Sequence, residues 1–406
     1  MPTLAARMVL YRELCMDILF LINIIALFFS FFVIGAVLGA VFSKIAREKI
    51  AAILHLERLL LSKSDHNPIL KPGGNPWTAE AVLNPAAAVL DGRTHLIYRA
   101  IGSDGVSRLG YASSADGIIF DKRLPYPIFI AQRLHGAHGR IAARRFSPTL
   151  YPSGGSWGGC EDPRMVLIDG RVYITFNMFD GWDFIRVASI SIAQDNFLAE
   201  QFGTWDGPYL LSPPRQVHKN WVMFPEKIGG RFAILHSIAP KIEIAYRDSI
   251  EDIGIAEPFI ESWVGAREGL PAREGVWDSF VRSPGPPPLR TEHGWLLFYH
   301  AFSKEDRDAS IGYRIGAMLL DLVDPTKILY RSAAPVISPE EQYENHGNKF
   351  GVTYACGAVV RNGKLFVYYG GADKVVCVAT APLHSFLNAL MKGSQPLLES
   401  VPAQTS

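Results

Sequence analysis

A short β-rich unit decides the fold of this chain, and its first copy is DGRTHLIYR at residues 91–99. The unit is a turn ending in glycine, an alternating run of β-branched, aromatic and aliphatic residues, a polar gap and a second apolar run. Four further copies follow the turns that end at Gly170, Gly230, Gly294 and Gly363. These glycines stand roughly 60 to 80 residues apart, which is room for about four short strands per unit. We therefore predict an all-β domain folded as a five-bladed β-propeller.

The N-terminal region differs in character from the repeats. Residues 18–42 carry no charge and are almost entirely apolar. An α-helix of that length is about 37 Å long, enough to cross the hydrocarbon layer of a bilayer. More lysines and arginines follow this segment than precede it, which favours a cytoplasmic catalytic domain. We therefore predict a membrane-anchored protein held by a single N-terminal helix.

The predicted domain organisation combines these two regions. In chain order it consists of an N-terminal flank at 1–17, a transmembrane helix at 18–42, a connector helix at 43–64, the propeller catalytic domain at 65–390 and a C-terminal tail at 391–406. The connector is partly amphipathic, and the propeller domain contains all five β-rich units.

The composition excludes several classes of protein. The 40 Lys and Arg residues against 39 Asp and Glu residues give a net charge of +1, which supplies no broad positive surface for a nucleic acid. The four cysteines form no CxxC pair, and the sequence has no evident cluster of metal-ligand residues. We therefore predict no nucleic-acid partner, no metal and no organic cofactor.

The segment GCEDPR, residues 159–164, stands directly before the second unit and places two carboxylates and a guanidinium at the edge of a blade. Propellers bind ligands at the mouth of the central channel, where such edges meet. A glycosidase needs a carboxyl group whose pKa is raised, and burial or the neighbouring Glu161 would raise that of Asp162. An Asp-Pro step is also a common turn former, which is the alternative interpretation.

Several longer segments point to one enzyme family. They are NPAAAVLDGRTHLIYRA, GCEDPRMVLIDG, NWVMFPEKIGGRFAILH, GPPPLRTEHGWLLFYHAF, YRIGAMLLDLVDPTKILYRS and KLFVYYGGADKVVCVA. Over about residues 65–385 the chain resembles glycoside hydrolase family 130, the β-mannoside phosphorylases and β-mannosidases. The resemblance implies a five-bladed propeller and an inverting cleavage in which Asp162 is the general acid and relays its proton through a sugar hydroxyl. The substrate-binding residues that we predict are Asn84, Arg99, Glu161, Arg164, Lys227, His236, His300 and Asp373.

The nucleophile is the open question at this stage. Phosphorylases of the family hold phosphate with arginines on either side of a Phe-Pro-Glu-Lys segment, whereas this chain has Val217–Asn220 upstream and Ser237 downstream. A dianion needs several cationic donors, so the absence of both arginines favours water. Water requires a carboxylate base, for which Glu243 is the first candidate and Glu226 the alternative.

The predicted function is therefore β-1,2-mannosidase-like hydrolysis of a β-linked manno-oligosaccharide or mannosyl glycoconjugate. One alternative is a β-mannoside phosphorylase that uses inorganic phosphate as co-substrate and releases mannose 1-phosphate. The other is a sugar-binding propeller without catalytic activity, which would not require Asp162.

Overall fold

The computed structural model describes residues 61–131, 145–180, 185–214, 216–250, 277–303 and 312–393. Within these ranges the chain is mostly β, which confirms the all-β part of the predicted fold class. The helical elements among them are short: α1 (Gln194–Leu198), α2 (Gln342–Asn345), α3 (Leu383–Lys392) and two 3-10 turns at Pro76–Thr78 and Phe202–Thr204.

The strands form five successive antiparallel units that correspond to the five copies of the sequence pattern. A short strand β1 (Ser62–Lys63) comes first. The first unit contains β2 (Ala81–Leu90), β3 (Arg93–Ile101), β4 (Val106–Ser114) and β5 (Lys122–Arg123). The second contains β6 (Gly158–Ile168), β7 (Arg171–Asp180), β8 (Ile185–Ala193) and β9 (Asp206–Leu210). A two-residue parallel contact between β4 and β6 joins these two units into one sheet.

The remaining three units are separate sheets. The third contains β10 (Val222–Met223), β11 (Phe232–Ser237) and β12 (Glu243–Arg247). The fourth contains β13 (Phe280–Pro284), β14 (Leu289–Thr291), β15 (Gly294–Phe302), β16 (Arg314–Leu320) and β17 (Ile328–Arg331). The fifth contains β18 (Thr353–Arg361), β19 (Lys364–Gly371) and β20 (Val375–Pro382). Each unit is an antiparallel meander, as the short turns ending in glycine predict.

The core consists of apolar clusters that lie between one unit and the next. Four clusters join the first unit to the second, the second to the third, the third to the fourth, and the fourth to the fifth. Another joins the fifth unit to the first, with Val82 and Tyr98 packed among Phe366 and Val378. Near-continuous apolar runs along strands that are buried on both faces, such as β15, allow each unit to contact two neighbours. This ring of interfaces is consistent with the predicted five-bladed propeller.

The N-terminal strand completes the fifth unit. Strand β1 pairs antiparallel with β20, with Ser62 opposite Thr380 and Lys63 opposite Ala379. The ammonium of Lys63 lies 2.6 Å from a carboxylate oxygen of the fully buried Glu344, which also accepts a hydrogen bond from the Tyr369 hydroxyl. The beginning and end of the domain are therefore held together by strand pairing and a buried ion pair.

The predicted membrane-anchored location requires correction. In the ranges that the structure describes, no helix is long and apolar enough to cross a membrane. The predicted flank at 1–17, the transmembrane helix at 18–42 and most of the connector at 43–64 lie outside those ranges. Where the connector enters the described part of the chain, Ser62 and Lys63 form a strand and not a helix.

Candidate active site

Two proline-containing bulges supply the first residues of the site. The pairing of β2 with β3 shifts between Leu83 and Ala86, and that of β6 with β7 shifts between Glu161 and Arg164. The residues left out of register are Asn84-Pro85 and Asp162-Pro163. Proline has no N–H to lose from a ladder, and a bulge re-aims the side chain beside it. An amide and a carboxylate therefore lie at equivalent positions in the first two units, at the bulges of β2 and β6.

We call Asn84 and Asp162, the first residue of each bulge, the corner residues. Both have left-handed backbone geometry, with φ of 48° at Asn84 and 50° at Asp162. Asn and Asp are the non-glycine residues that tolerate this region best. The two side chains meet, because Asn84 Nδ2 donates to Asp162 Oδ1 at 2.7 Å. Asn84 Oδ1 is buried against Gly370 and has no hydrogen-bond partner in the described part of the protein.

Arg99 on β3 connects the site to the carboxylates of β6. Its side chain is buried, and its guanidinium donates to Asp162 Oδ1 at 3.3 Å and to Glu161 Oε1 at 2.9 Å. It also donates to Ser107 Oγ at 2.9 Å and to the Ser153 carbonyl at 2.7 Å. A planar guanidinium used in this way fixes both carboxylates relative to β3.

Glu161 lies behind the site and is completely buried. Its second oxygen accepts hydrogen bonds from Lys219 Nζ at 2.7 Å and from Ser153 Oγ at 2.8 Å. Together with the bond from Arg99, this gives the carboxylate two cationic partners. A buried charge with such partners holds them in place more than it adds to stability.

Arg164 ties the second unit to the third and fourth. Its guanidinium donates to the Asp162 backbone carbonyl at 2.7 Å, to Asn220 Oδ1 at 3.2 Å and to the Gly285 carbonyl at 3.1 Å. Asn220 is another left-handed residue, with φ of 64°, and its backbone N–H donates to Asn177 Oδ1 at 2.8 Å. Arg164 is thus a buried structural residue one layer behind the ligand space.

The pKa of Asp162 is lowered, in contrast to the sequence-based expectation of a raised value. Burial by itself raises the pKa, but the positive charges of Arg99, Arg164 and Lys219 and the hydrogen bond from Asn84 outweigh it. Glu161 does not act as the expected like charge, since Arg99 and Lys219 already pair with it. Asp162 is therefore a carboxylate when the site is empty.

Asn84, Arg99, Asp162 and Lys219 border a cavity of about 240 Å³. It is lined by Asn84, Arg99, Pro152, Ser153, Gly154, Asp162, Lys219, Asn220, Arg282, Tyr313, Lys349, Val352, Tyr354 and Asp373. All five units or the segments between them contribute, as expected for the mouth of a propeller channel. No group of three or more His, Cys, Asp or Glu residues within the described ranges is arranged to hold a metal ion.

Asp373 lies in the turn between β19 and β20, where it and Ala372 both have positive φ. Its carboxylate is 3.4 Å from Lys349 Nζ. The backbone around it is held as well, because Asn348 Nδ2 donates to the Asp373 carbonyl at 2.9 Å. The structure therefore brings four of the predicted residues to the cavity wall, namely Asn84, Arg99, Asp162 and Asp373.

Three other predicted substrate-binding residues do not line the cavity. His300 is fully buried and stacked on Tyr354, with ring centroids 3.7 Å apart. Lys227 is in the turn after β10 and pairs with Asp169 at 2.8 Å. His236 packs against Trp221, and burial lowers its pKa. We predicted that these three residues bind substrate, but none of them lines the cavity.

The two candidate bases also lie away from the cavity wall. Glu226 is 3.5 Å from Arg290 and its side chain is 44% exposed. Glu243 starts β12 and is 3.1 Å from Lys241. Alternation along β12 predicted Glu243 correctly as a strand residue, but it did not indicate which face the strand turns to the channel.

Of the cavity residues that the structure describes, ten were not among those predicted, and half of these ten are cationic or phenolic. Arg282 lies where the pairing of β13 with β15 shifts between Val281 and Ser283, in the inner strand of the fourth unit. This is the position that Asn84 and Asp162 occupy in the first two units, so aligning the segments before each glycine would have found it. Lys349, Tyr313 and Tyr354 follow no such pattern.

The wall has an excess of positive charge. In the described part of the chain, the cavity and the layer behind it contain five cations, Arg99, Arg164, Lys219, Arg282 and Lys349, and three anions, Glu161, Asp162 and Asp373. The difference is two positive charges. An enclosed region with this excess favours an anionic ligand.

Comparisons with known proteins agree with this geometry. A sequence model of the glycoside hydrolase 130 family, described as β-1,4-mannooligosaccharide phosphorylase, matches residues 47–392. The chain is 35% identical over 333 residues to 1,2-β-oligomannan phosphorylase of Thermoanaerobacter sp., covering 79% of this chain and 96% of that protein. It is 30% identical, with the same coverage, to β-1,2-mannobiose phosphorylase of that organism. The structure of β-1,2-mannobiose phosphorylase from Listeria innocua shares the fold, with a TM-score of 0.61, 21% identity and coverage of 82% and 99%.

Proposed function

Because this chain belongs to glycoside hydrolase family 130, we propose that it cleaves β-1,2-mannosidic bonds by phosphorolysis and releases mannose 1-phosphate. The observation that carries the choice of nucleophile is the excess of two positive charges around the cavity. Neutral mannosides do not require such an excess, whereas a phosphate dianion is matched by it. The relatives that share 30% or more of the sequence are named as phosphorylases, which supports the same choice.

The missing arginines are less decisive than the sequence indicates. At the upstream position Lys219 reaches the cavity wall, although it is bonded to Glu161 and Ser153. Downstream, the Ser237 hydroxyl donates to backbone carbonyls and does not line the cavity. Arg282 and Lys349 bring other cations to the wall, so the phosphate site of this chain would be built from different positions.

Hydrolysis would need a carboxylate base separated from the acid by roughly 6.5–9.5 Å. Of the residues that the structure describes, only two carboxylates line the cavity, Asp162 and Asp373. Asp373 lies beside Lys349, and the candidates Glu226 and Glu243 lie away from the wall. This arrangement supports phosphate over water as the nucleophile.

The names of the relatives disagree about the linkage. The family description specifies β-1,4-mannooligosaccharides, whereas the relatives at 35% and 30% identity are named for β-1,2-linked substrates. A named relative that spans most of the chain is more informative about substrate than a description of a whole family. We therefore assign a β-1,2-linked oligomannan as the substrate class.

In the proposed reaction, Asn84, Arg99 and Asp373 hold the mannosyl unit. A phosphate oxygen forms a bond to C1 while the bond from C1 to the leaving oxygen breaks with inversion. The leaving oxygen takes a proton from Asp162 through a sugar hydroxyl. Since Asp162 is charged before phosphate binds, it takes up a proton from solvent as the ion binds, because the negative charge of the ion raises the pKa of the neighbouring carboxyl. The proton that the phosphate dianion brought is released to solvent from mannose 1-phosphate, so the proton count balances.

Product analysis with β-1,2-mannobiose, in the presence and absence of phosphate, tests this function. We expect mannose 1-phosphate and mannose in equal amounts with phosphate and negligible cleavage without it. Lys349→Gln should raise the KM for phosphate, whereas Lys227→Gln, which alters a lysine away from the cavity, should not. Release of free mannose at the same rate without phosphate would show that water is the nucleophile. A parallel assay with β-1,4-mannobiose tests the linkage.

A further inference from the structure

Tyr354 lines the cavity at the start of β18 and is held from behind by groups that do not line it. Its ring stacks on the buried imidazole of His300 at an interplanar angle of 10°. Ser283 Oγ lies 3.2 Å from its hydroxyl oxygen, and the positive charge of Arg164 acts on the same side chain. A tyrosine fixed on its face and at its oxygen is positioned to present that oxygen in one direction.

His300 fixes the direction of the hydrogen bonds that reach Tyr354. Its Nε2 accepts the Ala355 backbone N–H at 2.9 Å. Burial, with a further contribution from Arg164, lowers its pKa to about 3, so the ring is neutral. The single ring proton is therefore on Nδ1, which donates to Ser283 Oγ at 3.1 Å. The Ser283 hydroxyl then has its own proton to donate to the Tyr354 oxygen.

The phenolic oxygen has two acceptor sites and one proton. The Ser283 hydroxyl donates to one of the acceptor sites. Burial raises the pKa of Tyr354, so its proton is retained. Ser283 does not use that proton, and the Tyr354 side chain lines the cavity, so the hydroxyl can donate to a ligand there.

We propose that the Tyr354 hydroxyl donates a hydrogen bond to the bound phosphate, and that Ser283 and His300 act as positioning residues for it. This inference rests on the proposed phosphorolysis. The neighbours of Tyr354 favour an anion as the acceptor, because Arg282 adjoins Ser283 and both Arg282 and Lys349 line the same cavity. A hydrogen bond to an ionised acceptor is roughly twice as strong as one between neutral groups.

The test compares steady-state kinetics of the wild-type enzyme and Tyr354→Phe, which keeps the stacked ring and removes the hydroxyl. We expect the KM for phosphate to rise about tenfold or more, with the KM for the mannoside within about twofold of wild type. Ser283→Ala should raise the KM for phosphate by a smaller factor and in the same direction. Tyr126→Phe, at an exposed tyrosine outside the cavity, is the matched control and should match wild type.

Different failures have different meanings. If the KM for the mannoside rises and that for phosphate does not, the hydroxyl serves the sugar and the inference is wrong. If neither constant changes in a Tyr354→Phe enzyme that melts like wild type, the hydroxyl contacts no ligand and the inference is also wrong. Turnover by the wild-type enzyme that is independent of phosphate would instead overturn the proposed function, before any variant is measured.

Discussion

The corner at Asn84-Pro85 and the corner at Asp162-Pro163 have the same backbone form but opposite chemical roles. Both are bulges on the first strand of a unit, β2 or β6. In both, the corner residue is followed by proline, and the φ values of the two corner residues are 48° and 50°. One carries an amide that donates and the other a carboxylate that accepts, 2.7 Å apart. The repeat thus supplies the same geometry twice, and the change of amide to acid supplies the chemistry.

The difference between the corners extends to their surroundings. Asp162 is surrounded by Arg99, Arg164 and Lys219, which keep it charged. Asn84 instead faces the fifth unit, where a side chain at Gly370 would collide with its amide oxygen. Charged neighbours determine the properties of Asp162, whereas close packing against Gly370 constrains Asn84. Substitutions at the two residues should therefore have different effects.

The largest expected effect comes from making the corners alike. Asp162→Asn keeps a residue that tolerates positive φ but removes the acid, and we expect kcat to fall by a factor of about 10²–10⁴. The measurement is the initial rate of mannose 1-phosphate release at saturating phosphate. Asp169→Asn is the matched control, because Asp169 also has positive φ but is an exposed turn residue. A rate within about threefold of wild type would remove Asp162 from the chemistry.

The next effect concerns the amide corner and separates strain from hydrogen bonding. Asn84→Ala keeps a β-carbon in the left-handed region but removes the polar side chain that makes Asn tolerant of it, which costs about 1–2 kcal/mol of folding stability. Asn84→Gly has no β-carbon and avoids that strain. Both variants lose the bond to Asp162, so in both the pKa of Asp162 should rise. Chemical denaturation measures the first effect, and the pH dependence of kcat/KM measures the second. Equal stabilities of the two variants would argue against backbone strain at this corner.

A smaller effect is the contribution of the carboxylate corner to acid stability. The pKa of Asp162 is lowered by folding, so its charged form stabilises the protein above the unfolded-state value of about 3.9. That contribution is lost as the pH falls through the lower folded-state value. Asp162→Asn should therefore show a shallower loss of stability than wild type as the pH falls below about 4, measured by urea denaturation. Parallel curves for the two proteins would contradict the assigned shift.

The sequence was sufficient for the fold because the signal is local and repeated. A turn ending in glycine and an alternating run recur five times, and each copy became an antiparallel unit. Asp162 could be predicted for a related reason, since the GCEDPR segment directly precedes a unit, whereas Asn84 was predicted from the family resemblance. In contrast, Arg99, Arg164 and Lys219 come together around Asp162 from separate parts of the chain, and their charges reverse the expected direction of its pKa.

The unpredicted part of the site depends on contacts that only the closed ring creates. Lys349 reaches the cavity because its loop is bonded to the turn at Ala372 and Asp373. The family resemblance predicts His300 as a substrate-binding residue, yet it is buried and stacked on Tyr354, as a structural histidine would be. A short-range pattern identifies which strand a residue occupies, but not which neighbour covers it.

The smallest expected effect is at the two glutamates that sequence reasoning favoured as bases. Glu226→Gln and Glu243→Gln alter residues paired with Arg290 and Lys241 away from the cavity wall, so neither should change kcat/KM by more than about twofold. The Glu226 side chain is 44% exposed, and surface substitutions typically change stability by no more than about 0.5 kcal/mol, so the melting curve of Glu226→Gln should also match wild type. A large loss of activity in either variant, with unchanged melting, would mean that the third unit contributes an acid to the reaction. The contrast between the corners would then be incomplete, because a second carboxylate would share the chemistry assigned to Asp162.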